Sequence, residues 1–129
     1  MDSLLELKEK INKFTKDRDW EQFHTPSNLA KSISIEASEL LECFQWSDTD
    51  YDLEKVKEEL ADVFNYAIQL ASVLDLDIKD IVLKKMEKNA LKYPISKAKG
   101  SSKKYNELWL RKSIRIKYII YIILKIVIR

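Results

Sequence analysis

Four carboxylates recur at a spacing suited to metal chemistry. In "EASELLECFQW" Glu36 and Glu39 stand three residues apart, and in "EELADVFNY" Glu59 and Asp62 repeat the interval. Residues at i and i+3 are neighbours on a helix surface, so each pair crowds two like charges that repel unless a cation lies between them. Hard oxygen donors without His or Cys suit Mg²⁺, or Mn²⁺, better than zinc or copper. Mg²⁺ keeps several waters and completes its shell with substrate phosphates, so the set points to phosphate-ester chemistry. The bland alternative is a solvated helix face in a chain that is 34% charged. Two such pairs, each flanking an apolar stripe, weigh against it. A di-iron bundle would need Glu-x-x-His on each of two helices, and the single histidine, His24, lies in neither segment.

The elements that must position these acids read as helices. A chain of 129 residues with one Gly and two Pro has the size of one domain and little material for tight turns. Ser3 and Glu6 have capping-box spacing, and Leu4, Leu7, Ile11 and Phe14 follow at helical intervals to about Lys16. Thr25 reads as an N-cap with Pro26 at the first helical position of a second helix, expected to continue to about Trp46. A third spans about Leu53 to Leu74. A fourth starts after Asp77 and ends near Lys92, because Pro94 disfavours α conformation at Tyr93. Short connections favour antiparallel neighbours, so an all-α, four-helix-type bundle is expected.

On the second helix Leu29, Ile33, Ala37, Leu40, Leu41 and Phe44 share one arc, with Glu36 at its edge, Glu39 further round and Glu42 towards solvent. On the third, Val56, Leu60, Val63, Phe64, Ala67, Leu70, Ala71 and Leu74 form the stripe, with Glu59 at its edge and Tyr66 one turn past Asp62. Packing through these stripes would bring all four acids into one cleft. Stripes this wide are hard for so small a bundle to bury alone, and oligomerisation is the usual remedy.

Charge and composition narrow the partners. The tail from Leu108 to Arg129 takes 6 of the 23 basic residues and no acid, leaving 17 basic against 21 acidic groups in residues 1–107, about −4. A clustered basic face for nucleic acid is absent from that main body. The single Cys43 suits a reducing compartment, and "MDSLLELKEK" lacks the pattern of a secretory signal, so a cytoplasmic protein is expected. "SKAKGSSKKYNEL" has the composition of a loop or arm. In the isoleucine-rich tail the longest apolar run, Tyr118 to Leu124, falls short of the roughly 20 residues of a spanning helix. Its uses range from an interfacial helix or weak membrane anchor to a packed helix or added strand. Residues 1–107 are therefore read as the functional domain and 108–129 as a tail of separate character.

"RDWEQFHTPSNL", "EASELLECFQW", "EELADVFNYAIQLA", "KMEKNALKYP" and "KGSSKKY", in that order, resemble the MazG-like all-α nucleoside triphosphate pyrophosphohydrolases, most of all the dCTP pyrophosphatase branch. The resemblance implies Mg²⁺-dependent cleavage between the α and β phosphates, with Glu36, Glu39, Glu59 and Asp62 as metal ligands and a dimer or dimer-based tetramer as the assembly. Glu39 is the candidate for orienting the attacking water, although the sequence does not separate it from Glu36. Trp20, Trp46 and Tyr66 match nucleotide-contacting positions. His24 and Asn89 are candidates for hydrogen bonds to a base edge, and Lys85 and Tyr93 complete the candidate substrate set; Lys88, Lys92, Lys103 and Lys104 also could meet phosphate, against a plain solvated-face reading. Ile35 stands where the wider superfamily often has a further Glu, a lack shared with the dCTP pyrophosphatase branch. Ile11 aligns with a nucleotide-contacting histidine of animal relatives, which puts strict dCTP preference in doubt.

Overall fold

Capping chemistry sets where the helices begin. In the computed structural model, which describes residues 3–108 and Tyr121, the elements are α1 (Ser3–Lys16), α2 (Pro26–Glu42), α3 (Leu53–Val73), α4 (Ile78–Lys92) and the short α5 (Ile95–Ala98). Thr25 caps α2 as expected, its Oγ1 accepting from the Asn28 amide at 3.2 Å with Pro26 opening the helix. Asp52 caps α3, its Oδ1 accepting from the amides of Glu54 and Lys55. No strand occurs among the described residues, so the chain is all-α.

Two helices end by the same device. After α1, Asp19 takes φ +54°, its amide donates to the Lys16 carbonyl, and the Trp20 amide reaches back to the Thr15 carbonyl. After α3, Asp75 takes φ +51°, with Asp75 N–H to Ser72 O and Leu76 N–H to Ala71 O. This is the Schellman pattern, with aspartate at the left-handed position where glycine is commonest. Its usual apolar contact is present at α1, where Phe14 meets Trp20 edge-on at 5.9 Å.

The second helix stops a turn short of its expected end. Cys43, Phe44 and Gln45 donate to the carbonyls of Leu40, Leu41 and Glu42, so the helix tightens into i to i+3 bonds. Ser47 Oγ then accepts from the amides of Thr49 and Asp50 and fixes the loop. Phe44 packs on Tyr51 across it at 4.8 Å. Trp46 is left outside the helix.

The contacts divide the chain into two units, Met1–Lys79 and Asp80–Arg129. In the first, α3 is the central helix, with α2 packed along it and α1 against it. Leu29, Ile68 and Ala71 are its buried apolar residues, joined by two buried polar ones, Thr15 and Gln69. The expected stripes are only partly covered: Leu41 is 70% and Phe64 58% exposed, and Leu7, Phe14, Leu60 and Leu74 are also open. A stripe wider than one neighbouring helix leaves its far edge bare. In the second unit, Tyr105 meets Tyr93 edge-on and carries Lys92 Nζ 5.2 Å over its ring. The stretch read as a loop holds α5 and a helical turn at 105–108. Most of the apolar and basic tail lies outside the described residues, and no described helix is long and apolar enough to cross a membrane.

Candidate active site

Glu36 on α2 and Glu59 and Asp62 on α3 each present a carboxylate oxygen within 4.8 Å of the other two. Two are half-buried and Asp62 is exposed. The reason is their place in the pattern: Glu36 and Glu59 stand at the margins of their apolar stripes, with Asp62 one turn beyond Glu59, so packing α2 along α3 draws them together. Glu39 is not one of the three converging residues. It is exposed and lines a shallow hollow on α2 with Ser34, Ile35, Ser38 and Glu42.

Among the described residues no ion pair compensates the cluster. Burial, then the charges of Glu39, Asp62 and Glu59, raise the Glu36 carboxyl above its ordinary value of 4.5. The ion pairs of the described residues, Glu6–Lys10, Lys13–Asp17, Glu54–Lys57 and Asp80–Lys84, all lie elsewhere. Acids drawn together with no Lys or Arg between them fit a cation, and an all-oxygen set fits a hard divalent one.

Beside the acids runs a chain of rings. Tyr66 lies one turn beyond Asp62 on α3, and its phenol is raised by burial and by the charges of Glu36 and Asp62, so its hydroxyl stays protonated. Tyr66 meets His24 edge-on at 6.4 Å, and His24 meets Trp20 at 6.3 Å. Three of the expected nucleotide-contacting residues are thus in one continuous line, anchored at Tyr66 next to the carboxylates. His24 Nδ1 is buried without a hydrogen-bond partner. Trp46, 89% exposed, makes no ring contact among the described residues.

Lys85, Asn89 and Tyr93 belong to the second unit, where the first two are exposed and Tyr93 is half-buried. Lys85 and Asn89 are one turn apart on α4, and the Tyr93 amide donates to the Asn89 carbonyl at 2.8 Å. Lys88, Lys103 and Lys104 are exposed. A separate hollow of about 300 Å³, between Leu4, Leu5, Lys8 and the turn Asp75–Lys79, is lined by none of the site residues.

Sequence reasoning missed Arg18 and the buried pair Thr15 and Gln69. Arg18 lies 3.4 Å over the Phe14 ring, 5.9 Å from that of Trp20, and donates to the Phe14 carbonyl. Thr15 had a usable signal: eleven residues after Leu4, it returns to within about 20° of the same helix face. Its polar type kept it off the stripe.

Comparison with known proteins follows the same residues. A sequence profile described as the MazG-like family matches residues 31–108, which include all four acids. The chain is 39% identical over 104 residues to dCTP pyrophosphatase 1 of Mus musculus, and likewise 39% to that of Homo sapiens; each match covers 74% of this chain. The chain spans 61% of the length of these curated relatives. A crystal structure of a pyrophosphatase from Archaeoglobus fulgidus DSM 4304 is 42% identical, with a TM-score of 0.66 over 73% of this chain and 94% of that one. By profile and by fold, the chain belongs to the MazG-like family.

Proposed function

We propose that this chain is a Mg²⁺-dependent nucleoside triphosphate pyrophosphohydrolase that cleaves dCTP or a closely related deoxynucleotide to the monophosphate and pyrophosphate. The observation that carries the reading is the uncompensated convergence of Glu36, Glu59 and Asp62 beside the Tyr66–His24–Trp20 line. Relatives named dCTP pyrophosphatase 1 support the substrate class. Glu36, Glu59 and Asp62, with Glu39 alongside, would hold the metal, with Mn²⁺ able to substitute. A divalent metal, when bound, supplies neutralisation of the triphosphate charge and activation of water and phosphorus for in-line attack.

The chain's own groups do the rest by placement. Water attacks the α phosphorus, the bond from that phosphorus to the oxygen bridging towards the β phosphorus breaks, and pyrophosphate leaves. Glu39, outside the converging three, is our candidate for orienting the water and accepting its proton. Trp20 and Tyr66 offer faces and edges to the base, Trp46 an exposed platform from the loop after α2, and His24 a ring nitrogen. Lys85, Asn89 and Tyr93 on and after α4 are assigned to substrate, as the resemblance implies. Phosphoryl-type transfer is mostly positioning and charge stabilisation, so the lack of a nucleophilic side chain among these residues is no obstacle.

The bare apolar residues Leu41, Leu60 and Phe64 support a homo-oligomer, dimer or tetramer, and the single Cys43 suits a nucleotide-pool enzyme of the cytoplasm. Incubation with each deoxynucleoside triphosphate in Mg²⁺, followed by anion-exchange separation, tests the reading. Pyrophosphate with monophosphate is expected. Orthophosphate as the only first product would refute α–β cleavage, while nucleotide-dependent thermal stabilisation without any product would leave a sensor.

A further inference from the structure

Thr15 is the buried residue of α1, 6% exposed, and Gln69 on α3 is 7% exposed. Thr15 Oγ1 donates to Gln69 Oε1 at 3.3 Å, and Gln69 Nε2 donates to Asn65 Oδ1 at 3.2 Å. Two polar side chains occupy a core whose buried apolar members, among the described residues, are Leu29, Ile68 and Ala71. An apolar pair of the same shape would pack there without a desolvation cost, so the hydrogen bond contributes specificity of placement more than net stability.

What it places can be traced. The carbonyl of Thr15 accepts the amide of Trp20 at 3.1 Å and that of Arg18 at 3.3 Å, so Thr15 provides the acceptor that ties Trp20 into the Schellman turn, beside the Asp19 amide to Lys16 carbonyl bond. From Trp20 the ring contacts run through His24 to Tyr66, which lies between Asn65 and Gln69 on α3. The path is closed: side chain of Thr15 to α3, along α3 to Tyr66, across two rings to Trp20, and back to the Thr15 backbone. A shift of the end of α1 along α3 therefore moves Trp20 relative to Glu59, Asp62 and Tyr66 together.

We infer that Thr15, through its hydroxyl bond to Gln69, is a positioning residue that sets the distance between the Trp20 base platform and the carboxylates of α3. The inference rests on the nucleotide reading above, with Trp20 at the base end. It assigns to a residue that touches no substrate an effect on nucleotide binding and not on the chemical step.

Thr15→Val removes the hydroxyl at nearly constant shape, Thr15→Ser keeps it, and Thr15→Val/Gln69→Leu leaves neither polar partner of that bond to be orphaned. In the full chain labelled with 5-fluorotryptophan, Thr15→Val is expected to move the Trp20 fluorine signal and leave that of Trp46, with Thr15→Ser leaving both. In steady-state turnover of dCTP, Thr15→Val is expected to raise KM about fivefold with kcat held within about twofold, and Thr15→Ser to restore KM. The double variant is expected to recover thermal stability and keep the raised KM. An unmoved Trp20 signal, a KM equal to wild type in an active Thr15→Val, or a KM that returns with stability in the double variant each overturns the inference. A wild type that releases no pyrophosphate from any deoxynucleotide refutes the function instead, and the fluorine spectra still decide whether Thr15 holds Trp20.

Discussion

His24 and Tyr66 meet edge-on, centroids 6.4 Å apart at 77°, and this contact joins the aromatic end of the site to its acidic end. The two residues come from different parts of the chain, one from the turn before α2 and one from the middle of α3. Rings in a line of edge-on contacts are poor at discriminating bases by hydrogen bonds and offer π faces to a base, which suits the proposed nucleotide binding with modest base preference.

Trp20→Ala should therefore weaken binding more than chemistry. Loss of one base–aromatic contact is expected to raise the nucleotide KM about tenfold, with kcat changed by no more than about threefold. Steady-state kinetics across the deoxynucleotides check this, and a loss confined to kcat would remove Trp20 from the base end.

Glu36→Gln trades function for stability. Because burial and three neighbouring acids oppose its charge, the amide should raise the melting temperature of the metal-free protein. It should also abolish the further stabilisation given by Mn²⁺ and cut pyrophosphate release by about a hundredfold or more. Calorimetry with EDTA and with Mn²⁺ measures both, and an unaltered Mn²⁺ shift would exclude Glu36 as a ligand.

The same carboxyl imposes a pH dependence whose sign is fixed. Its folded value lies above the ordinary 4.5, so through that interval the folded chain holds a proton that the unfolded chain has released. Its contribution is fully present below about pH 4.5 and is lost as pH rises through the raised folded value. Urea midpoints of the metal-free wild type should thus fall relative to those of Glu36→Gln as pH rises above about 4.5. A constant difference between the two would show that the charge of Glu36 costs nothing in the fold.

Phe64→Asp tests the bare flank of α3. Phe64 and Leu41 are both more than half exposed in one chain, and large apolar side chains in that state mark a surface covered by association. Wild type is expected to sediment as a dimer or tetramer and Phe64→Asp as a smaller species with reduced turnover. A wild type that sediments only as monomer would exclude the assembly.

Asp75→Gly should stabilise. The left-handed conformation after α3 costs an L-residue about 1 kcal/mol and glycine almost nothing, although glycine's freer unfolded chain returns part of the gain. A rise of about 2–4 °C in melting temperature is the expected result, and a fall would show that the Asp75 side chain holds the turn.

Most of the helix boundaries were legible in the sequence because capping is local: Thr25–Pro26, Asp52 and the Pro94 stop act within one turn of themselves. The end of α2 was not, since nothing in "CFQWS" forbids helix and the tightening depends on the Ser47 turn and the Phe44–Tyr51 contact beyond it. Periodicity put Glu36 and Glu59 at the stripe edges with Glu39 and Asp62 further round and expected all four in one cleft; Glu36, Glu59 and Asp62 converge, and Glu39 is not among the converging residues. The pattern could not say how far round each stripe a neighbour would reach, so Leu41, Leu60 and Phe64 were expected inside and stand open. Thr15 and Gln69 escaped for the opposite reason, being polar residues whose burial depends on finding each other across two helices.

The early end of α2 separates two kinds of freedom. Glu36 and Glu39 ride on a regular helix, where a shift of either would break register with α3, while Trp46 hangs from a loop held by the Ser47 hydroxyl. Mutation can lengthen, shorten or re-aim that loop without disturbing the acids. On the proposed function, changes within residues 43–51 alone would re-aim the Trp46 platform while Glu36 keeps its register with Glu59 and Asp62, so base preference and metal binding could be altered one at a time.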